Sequence, residues 1–203
     1  LLSNGENKQI LTTTDSSLES NYVEKNIIFL ISMPRSGSTL LQRIIESSQY
    51  IESTGEPWVA LPILSLYDQE SIESLYDQSV LNSARLGLIN ELGANENLYH
   101  DAEAAYLHSI YTSICNNIEA PFYLDKTPRY SLVLEKLYQR LPNAKFIILK
   151  RNPLSVINSY CSTWAKNNLK WVINNKSFMN DFRNGFINLI NFACKHHNSS
   201  NDE

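Results

Sequence analysis

The segment FLISMPRSGSTLLQRII, residues 29–45, constrains the fold of this 203-residue chain most strongly. Ile27 to Ser32 form a nearly continuous apolar run, which is typical of a strand buried on both faces of a parallel sheet. Apolar residues then repeat at helical spacing, at Leu40, Leu41, Ile44 and Ile45. The pattern therefore predicts a strand that turns into a helix at about Ser36 to Ser38.

The turn between these elements, Pro34 to Thr39, has the composition of an anion-binding loop. A loop that enters a helix N-terminus offers unpaired backbone N–H groups and the positive end of the helix dipole. Gly37 lets the backbone approach an anion closely, and hydroxyl groups are supplied by Ser36, Ser38 and Thr39. The same composition also suits a simple capped helix start, so the loop alone leaves both interpretations open.

Aligned on the nucleotide-binding P-loop pattern GxxxxGK[ST], the turn departs at two positions. Ser32 replaces the first glycine and Ser38 replaces the lysine, whereas Thr39 keeps the hydroxyl position that would hold magnesium. A triphosphate-using enzyme relies on that lysine to span the β and γ phosphates, so its absence argues against a triphosphate. Arg35, inside the loop, is placed to meet a shorter anionic group from the side.

Strand and helix signals alternate along the rest of the chain. The polar residues 1–24 lack apolar periodicity and are predicted to form a flexible leader before a domain at 25–203. Short apolar strands are predicted at Phe122–Leu124 and Lys145–Leu149, with an amphipathic helix over 132–141 between them. The Tyr- and Leu-rich middle, from about residue 55 to 120, is predicted to be helical, with breaks at Pro57, Pro62, Gly87 and Gly93.

A second helix start follows the strand KFIIL. Asn152 suits an N-cap and Pro153 the first helical position, and a last helix is predicted over 178–192. Alternating strands and helices indicate an α/β fold, a three-layer α/β/α P-loop-like arrangement around a central parallel sheet. Ligands of such sheets bind at the carboxyl ends of the strands, where both unusual turns are predicted to lie.

Composition excludes several other classes of protein. The formal net charge of −4 argues against a general nucleic-acid binder, which carries a broad basic face. No apolar run approaches the roughly 20 residues of a membrane-spanning helix, although a removed signal or anchor stays open. Cysteine spacing supports neither a disulfide framework nor a zinc site, so free thiols are expected at Cys115, Cys161 and Cys194.

PRSGSTLL after an apolar strand resembles the 5′-phosphosulfate loop of sulfotransferases, which use 3′-phosphoadenosine-5′-phosphosulfate (PAPS) as donor. Their second signature, a strand-end Arg with a Ser eight residues later, is matched by Arg151 and Ser159 in KFIILKRNPLSVINSY. The resemblance is strongest to the tyrosylprotein-sulfotransferase-like branch and its bacterial relatives, and it spans roughly residues 27–64 and 121–164. Asn152 stands where many relatives have Asp, which preserves a helix cap.

The resemblance implies a set of catalytic residues. Glu56, in STGEPWVALPIL, matches the family's glutamate and is the candidate general base, for which a partly desolvated carboxylate is expected. Lys126, in LDKTPR, matches the catalytic lysine, and Arg35 would stabilise charge on the 5′-phosphate as it departs. Glu56 could otherwise be a turn residue and Lys126 a surface lysine. His100 and His108 are alternative bases or, more simply, structural residues.

The resemblance also implies the ligands and leaves several questions open. The loop Pro34 to Thr39 would bind the 5′-phosphosulfate, and Arg151 and Ser159 would bind the 3′-phosphate. Alternatively, Arg151 and Ser159 could serve only as strand-end and helix-capping residues. PAPS would be the donor and 3′-phosphoadenosine-5′-phosphate (PAP) the product, with no metal required. The acceptor hydroxyl could belong to a tyrosine, a sugar, a lipid or a small molecule.

Two rival functions stay open at this point: a P-loop nucleotide kinase or NTPase, and a non-catalytic nucleotide-binding domain of the same fold. The family usually continues well beyond the 3′-phosphate helix, so we expect a domain shortened at its C-terminal end. If the chain is bacterial, we expect a cytoplasmic location; a Golgi-type lumenal domain stays open as the alternative. The oligomeric state is not predicted.

Overall fold

The computed structural model describes residues 23–66, 77–93 and 97–197. Of the predicted leader, only Val23 and Glu24 lie within these residues, and both are buried. The Glu24 carboxylate accepts a hydrogen bond from the backbone N–H of Asn143 at 2.9 Å and contacts Nε2 of His108 at 2.9 Å. These two residues are therefore packed against the domain.

Four parallel strands form the central sheet: β1 (Ile27–Ser32), β2 (Ile51–Glu52), β3 (Phe122–Asp125) and β4 (Lys145–Leu149). Their order across the sheet is β2-β3-β1-β4, and the register aligns Ser32 at the end of β1 with Leu149 at the end of β4. The predicted parallel sheet is confirmed. β4 occupies an edge and is only partly buried, whereas β1 lies in the centre and is fully buried as predicted.

Residues 23–25 are helical, and nine further α-helices follow in the described residues: α1 (Ser38–Glu46), α2 (Ala60–Leu64), α3 (Gln78–Leu92), α4 (Asn97–Cys115), α5 (Leu134–Arg140), α6 (Pro153–Trp164), α7 (Leu169–Asn174), α8 (Lys176–Asn180) and α9 (Phe186–His197). A 3₁₀ turn over Pro128–Leu132 precedes α5, and a π-helical turn over Asp181–Gly185 joins α8 to α9. None of the helices described combines the length and apolar character needed to cross a bilayer.

The sheet separates two apolar clusters because successive strand residues point to opposite faces. Ile27, Phe29 and Ile31 belong to the larger cluster, which includes residues of α4, the 3₁₀ turn and α5. Ile28 and Leu30 belong to a second cluster, against which α1 packs. The predicted three-layer α/β/α arrangement is therefore confirmed, with the larger core on the face opposite α1.

Several predicted boundaries agree with the structure, and others differ. The Asn152 side chain accepts a hydrogen bond from the Leu154 backbone N–H at 2.9 Å, with Pro153 at the first helical position, as predicted. Gly93 ends α3 in a left-handed conformation, also as predicted. Pro62 and Gly87 lie inside α2 and α3, so these two predicted breaks are wrong. Pro62 is tolerated because it stands in the first turn of a short helix.

Candidate functional site

The loop from Pro34 to Thr39 forms the turn between β1 and α1. Gly37 precedes the helix with φ 95°, a left-handed conformation that favours glycine, and no side chain caps the helix. The first backbone N–H groups of α1 have no intrahelical acceptor, and its first turn contains no acidic residue. The Ser36 hydroxyl is buried without a hydrogen-bond partner. These features fit an anionic ligand at this turn.

The second predicted anion-binding segment lies beside the first because β1 and β4 are neighbours in the sheet. Arg151 follows β4, and its Nη1 donates to the main-chain carbonyl oxygen of Arg35 at 2.9 Å. Ser159 lies on α6, the helix that follows Arg151, and it lines the cavity described below. The structure thus brings both predicted phosphate-binding segments to one edge of the sheet.

The Arg35 guanidinium points toward α6. Its Nε donates to the Ser159 hydroxyl at 3.3 Å and its Nη2 to the Thr163 hydroxyl at 2.8 Å. Its Cζ lies 5.2 Å from the ring centroid of Trp164, a cation–π distance. Arg35 was predicted to meet the 5′ group, but in this structure its head group lies against the residue predicted to hold the 3′-phosphate. Contact with a 5′ group would require the side chain to reorient.

Glu56 and Lys126 form an ion pair, with Lys126 Nζ 2.7 Å from Glu56 Oε1. The Lys126 side chain is 4% exposed and that of Glu56 is 39% exposed, so the carboxylate is less enclosed than expected. Lys126 follows directly after the last residue of β3. Two of the three residues predicted to be catalytic are therefore in direct contact, although 70 positions separate them in the sequence.

Hydrogen bonds hold the chain in place before and after Glu56. Thr54 Oγ1 and the Tyr123 hydroxyl lie 2.7 Å apart, and the Ala60 backbone N–H donates to the Tyr130 hydroxyl at 3.0 Å. Tyr123 lies on β3 and Tyr130 in the 3₁₀ turn that follows Lys126. The same short stretch of chain therefore positions both members of the ion pair.

A buried polar cluster lies next to Lys126. The Asp125 carboxylate is fully buried and accepts hydrogen bonds from the hydroxyls of Tyr111 (2.6 Å), Thr127 (2.9 Å) and Tyr130 (3.1 Å). Burial raises the pKa of Asp125 to about 6, and these hydrogen bonds oppose the increase. Three satisfied donors make this cluster a rigid support for the end of β3.

A cavity of about 530 Å³ is lined by the loop after β1, by Glu56 and by Arg151. Its lining comprises Pro34, Arg35, Gly37, Ser38, Thr39, Glu56, Trp58, Pro128, Arg129, Arg151, Ser159, Trp164 and Asp181. The lining thus combines five of the six predicted loop residues with Arg151, Ser159 and Glu56, whereas Ser36 and Lys126, which were also predicted, do not line it. Among the residues that the structure describes, no group of His, Cys, Asp or Glu side chains could hold a metal ion.

The model of the Sulfotransferase family matches residues 27–199 of the chain. The chain belongs to the sulfotransferase family. It is 32% identical over 142 residues to the nodulation protein NoeE of Sinorhizobium fredii, covering 68% of this chain and 32% of NoeE. It is 27% identical over 136 residues to the human protein-tyrosine sulfotransferase 1, covering 67% of this chain and 34% of the relative. The chain spans about a third of the length of these curated relatives.

A solved structure supports the fold of this sulfotransferase-family chain. The sulfotransferase domain from the curacin biosynthetic pathway superposes with a TM-score of 0.50 at 23% identity, covering 84% of this chain and 63% of that domain. The α/β arrangement derived from the sequence is thus shared with a known sulfotransferase domain.

Two histidines considered as alternative bases lie outside the cavity lining. His100 and His108 both lie on α4, and His108 contacts Glu24. This sulfotransferase-family site therefore has Glu56 rather than a histidine in its cavity.

Sequence reasoning missed five residues of the cavity lining: Pro128 and Trp164, and a connected set of three, Trp58, Arg129 and Asp181. Arg129 Nε donates to Asp181 Oδ2 at 3.1 Å, and its Cζ lies 5.6 Å from the Trp58 ring centroid. Burial raises the pKa of Asp181, and the Arg129 charge opposes this. The three residues come from separate segments, so no spacing in the sequence could join them. The usable signals were local: Trp58 stands two positions after Glu56, and Arg129 three positions after Lys126.

Proposed function

We propose that this chain transfers the sulfuryl group of PAPS to a hydroxyl of an acceptor, with Glu56 as the general base. The observation that carries the proposal is the convergence of two anion-binding segments, joined by the hydrogen bond from Arg151 to the Arg35 carbonyl oxygen, beside the Glu56–Lys126 pair. One cavity thus offers a site for a nucleotide with two separate phosphate groups and a carboxylate for the acceptor proton.

The loop Pro34 to Thr39 would hold the 5′ end of the donor through the N–H groups at the start of α1. The lining supports this assignment, because it includes Gly37, Ser38 and Thr39 at the start of α1. Arg151 and Ser159 would bind the 3′-phosphate through charge-assisted and hydroxyl hydrogen bonds. No lysine stands in the loop to span a triphosphate, which argues against the NTPase alternative.

In the proposed transfer, Glu56 accepts the proton of the acceptor hydroxyl while the acceptor oxygen forms a bond to sulfur. The bond between sulfur and the bridging oxygen breaks, and its electron pair stays on the 5′-phosphate of PAP. Lys126 and Arg35 would stabilise the negative charge that develops on these oxygens. Because Lys126 now contacts Glu56, this step requires the ammonium to move from the carboxylate toward the donor. It also requires the Arg35 guanidinium to turn from Ser159 and Thr163 toward the same oxygens.

Calorimetric titration of the chain with PAP and with ATP tests the donor assignment. We expect PAP to bind at least roughly tenfold more tightly, a difference of about 1.4 kcal/mol, since ATP lacks the 3′-phosphate. Tighter binding of ATP would reject the proposal in favour of a kinase or NTPase. PAP binding without transfer from PAPS to any of a broad panel of hydroxyl compounds would instead favour the non-catalytic alternative.

A further inference from the structure

A second surface, beside the candidate site, is formed by the end of α6 and by α7. Trp164 ends α6, and two consecutive residues with left-handed backbone, Lys166 (φ 49°) and Asn167 (φ 63°), lead into α7. Such conformations cost free energy for residues other than glycine, so the surrounding packing must hold this turn. The turn brings Trp171 of α7 to the same hollow that Trp164 lines.

Tyr160 packs against both of these indoles. Its ring centroid lies 4.5 Å from that of Trp164 and 6.4 Å from that of Trp171. Tyr160 and Val172 are themselves buried in a small apolar cluster under α7. The hollow has a volume of about 380 Å³ and is lined by Trp164, Ala165, Lys166, Asn168 and Trp171. The two rings are therefore supported from inside the domain.

The exposed side chains on this surface include four large apolar ones. Between 45% and 56% of each is exposed, and all four lie within residues 164–173: Trp164, Leu169, Trp171 and Ile173. Single exposed apolar residues are common on soluble proteins, whereas a contiguous group marks a surface that binds a partner. We refer to these four residues, with the lysines Lys166, Lys170 and Lys176, as the α7 surface.

The charge of the α7 surface has one sign. Between Glu135 and Asp181 the sequence contains eight basic residues and no acidic one, although the formal net charge of the whole chain is −4. The three lysines of the α7 surface are exposed. No carboxylate of the described residues forms an ion pair with them. A partner of this surface therefore has to be anionic as well as apolar.

The positions of the apolar side chains around α7 favour a fluid partner. Val172 is buried, and Leu169 and Ile173 lie one helical turn apart on one flank of the helix. Trp171 lies on the opposite flank, toward Trp164. A rigid protein partner would have to enclose the helix to cover both flanks, whereas a lipid interface can cover both at once.

The chemistry of an anionic bilayer matches both properties of the surface. Tryptophan rings favour the headgroup level of a membrane, and lysines next to them attract anionic headgroups. A nucleic acid could use the lysines and the indoles, but it would leave Leu169 and Ile173 without a contact that suits them. The negative net charge of the chain also opposes a long polyanion.

We propose that the α7 surface docks the protein on an anionic membrane, with its four apolar side chains at headgroup level and its three lysines against the headgroups. α7 then lies in the plane of the interface and does not span the bilayer. Because Trp164 lines both the hollow and the cavity of the candidate site, docking places that cavity next to the membrane. Docking does not depend on the donor assignment.

Vesicle flotation of the chain tests this proposal. The probes are vesicles of phosphatidylcholine alone and vesicles of equal parts phosphatidylcholine and phosphatidylglycerol. We expect binding to the anionic vesicles only, and weaker binding in added salt because salt screens the lysines. Leu169→Ser/Ile173→Ser should weaken binding at least roughly tenfold, since it removes apolar contact area. Lys166→Gln/Lys170→Gln should weaken binding by a similar factor and reduce its salt dependence.

Each double variant has a matched control on another part of the chain. Leu86→Ser/Leu88→Ser changes two similarly exposed leucines (45% and 44%) on α3. Lys25→Gln/Lys195→Gln removes the same charge from exposed lysines outside the α7 surface. Both controls should bind the anionic vesicles as the unmodified chain does. The free energy of unfolding in urea shows whether each variant still folds, and the lysine variant decides the matter if the apolar one does not fold.

Three results would overturn the proposal. The first is a chain that does not float with anionic vesicles, and the second is an equal loss of binding in the α7-surface variants and their controls. The third is binding of a single-stranded oligonucleotide, or a dimer in sedimentation velocity that Leu169→Ser/Ile173→Ser dissociates, without any vesicle binding. That result would assign the α7 surface to a nucleic acid or to a second copy of the chain.

Discussion

At the scale of single residues, the position of Glu56 depends on the backbone around it. Gly55 has φ 90° and Trp58 has φ 55°, so two left-handed residues bracket the carboxylate. Family resemblance was enough to single out Glu56, because its motif is local. Its contact with Lys126 could not be predicted from spacing, since it joins β3 to a segment that the sequence places far away.

Glu56→Gln should lower kcat by at least roughly a hundredfold, because the amide cannot accept the acceptor proton. PAP affinity should change little, since the substitution keeps the size of the side chain and lies outside the proposed phosphate contacts. Initial rates of transfer from PAPS, together with calorimetry of PAP, measure the two effects separately.

Glu52→Gln is the control for this substitution. Glu52 lies on β2 and its carboxylate accepts a hydrogen bond from the Glu119 backbone N–H at 3.3 Å, outside the cavity lining. An amide oxygen can accept the same bond, so kcat should be unchanged. Equal rates for Glu56→Gln and the unmodified chain would remove Glu56 from the mechanism.

Asp125 should make stability depend on pH. Its pKa is about 6 in the folded chain against 3.8 ordinarily, so the folded state binds the proton more tightly than the unfolded state. The free energy of unfolding should therefore fall as pH rises from about 4 to about 6, by up to about 3 kcal/mol from this group. Urea unfolding across this pH range measures the effect.

Asp125→Asn should flatten that pH dependence, because the amide does not titrate. Asp101→Asn removes an exposed carboxylate on α4 and serves as the control for the loss of one charge. The free energy of unfolding could instead change with pH by the same amount in Asp125→Asn and in the unmodified chain. That result would show that Asp125 does not cause the pH dependence.

At the scale of elements, the sequence was most informative where a local rule acts alone. β1 could be predicted because a central parallel strand is apolar throughout, and the start of α6 because Asn152 and Pro153 fix its cap. Gly87 was read as a break, but α3 passes through it since neighbouring residues sustain the helix. The π-helical turn Asp181–Gly185 could not be predicted from a local pattern, because it packs against the 3₁₀ turn, which lies far away in the sequence.

Gly185 should be sensitive to substitution for that reason. A Cβ at this position would lie 2.6 Å from the Ser131 hydroxyl oxygen, closer than real contacts allow. Gly185→Ala should therefore destabilise the chain by about 1–3 kcal/mol. The free energy of unfolding in urea provides the measurement.

The chain offers both a rescue and a control for this substitution. Ser131→Ala removes the oxygen that the new methyl would meet, so the double variant should recover part of the loss. Gly87→Ala, in open space on α3, should stabilise by about 0.5–1 kcal/mol. A neutral effect of Gly185→Ala would show that the π-helical turn does not depend on this close approach.

At the scale of the whole molecule, the candidate site depends on β1 and β4 being neighbours in the sheet. The order β2-β3-β1-β4 brings the loop after β1 and the helix after β4 to one edge, where Arg151 meets the Arg35 carbonyl. The sequence predicted that both turns lie at the carboxyl ends of strands, which the structure confirms. It could not predict which strands are adjacent or that Trp58, Arg129 and Asp181 complete the cavity, because these contacts are set by tertiary packing.

We propose that one nucleotide spans both segments, with its 5′ end on the loop and its 3′-phosphate on Arg151. The test is a calorimetric titration of the Arg151→Ala variant and of the unmodified chain with two nucleotides. These are PAP and adenosine 5′-phosphate, which lacks the 3′-phosphate. Arg43→Ala, an exposed arginine of α1 outside the cavity lining, is the control. We expect Arg151→Ala to weaken PAP by roughly tenfold or more and adenosine 5′-phosphate hardly at all, while Arg43→Ala changes neither. Equal losses for both nucleotides, or none for PAP, would show that Arg151 does not hold the 3′-phosphate.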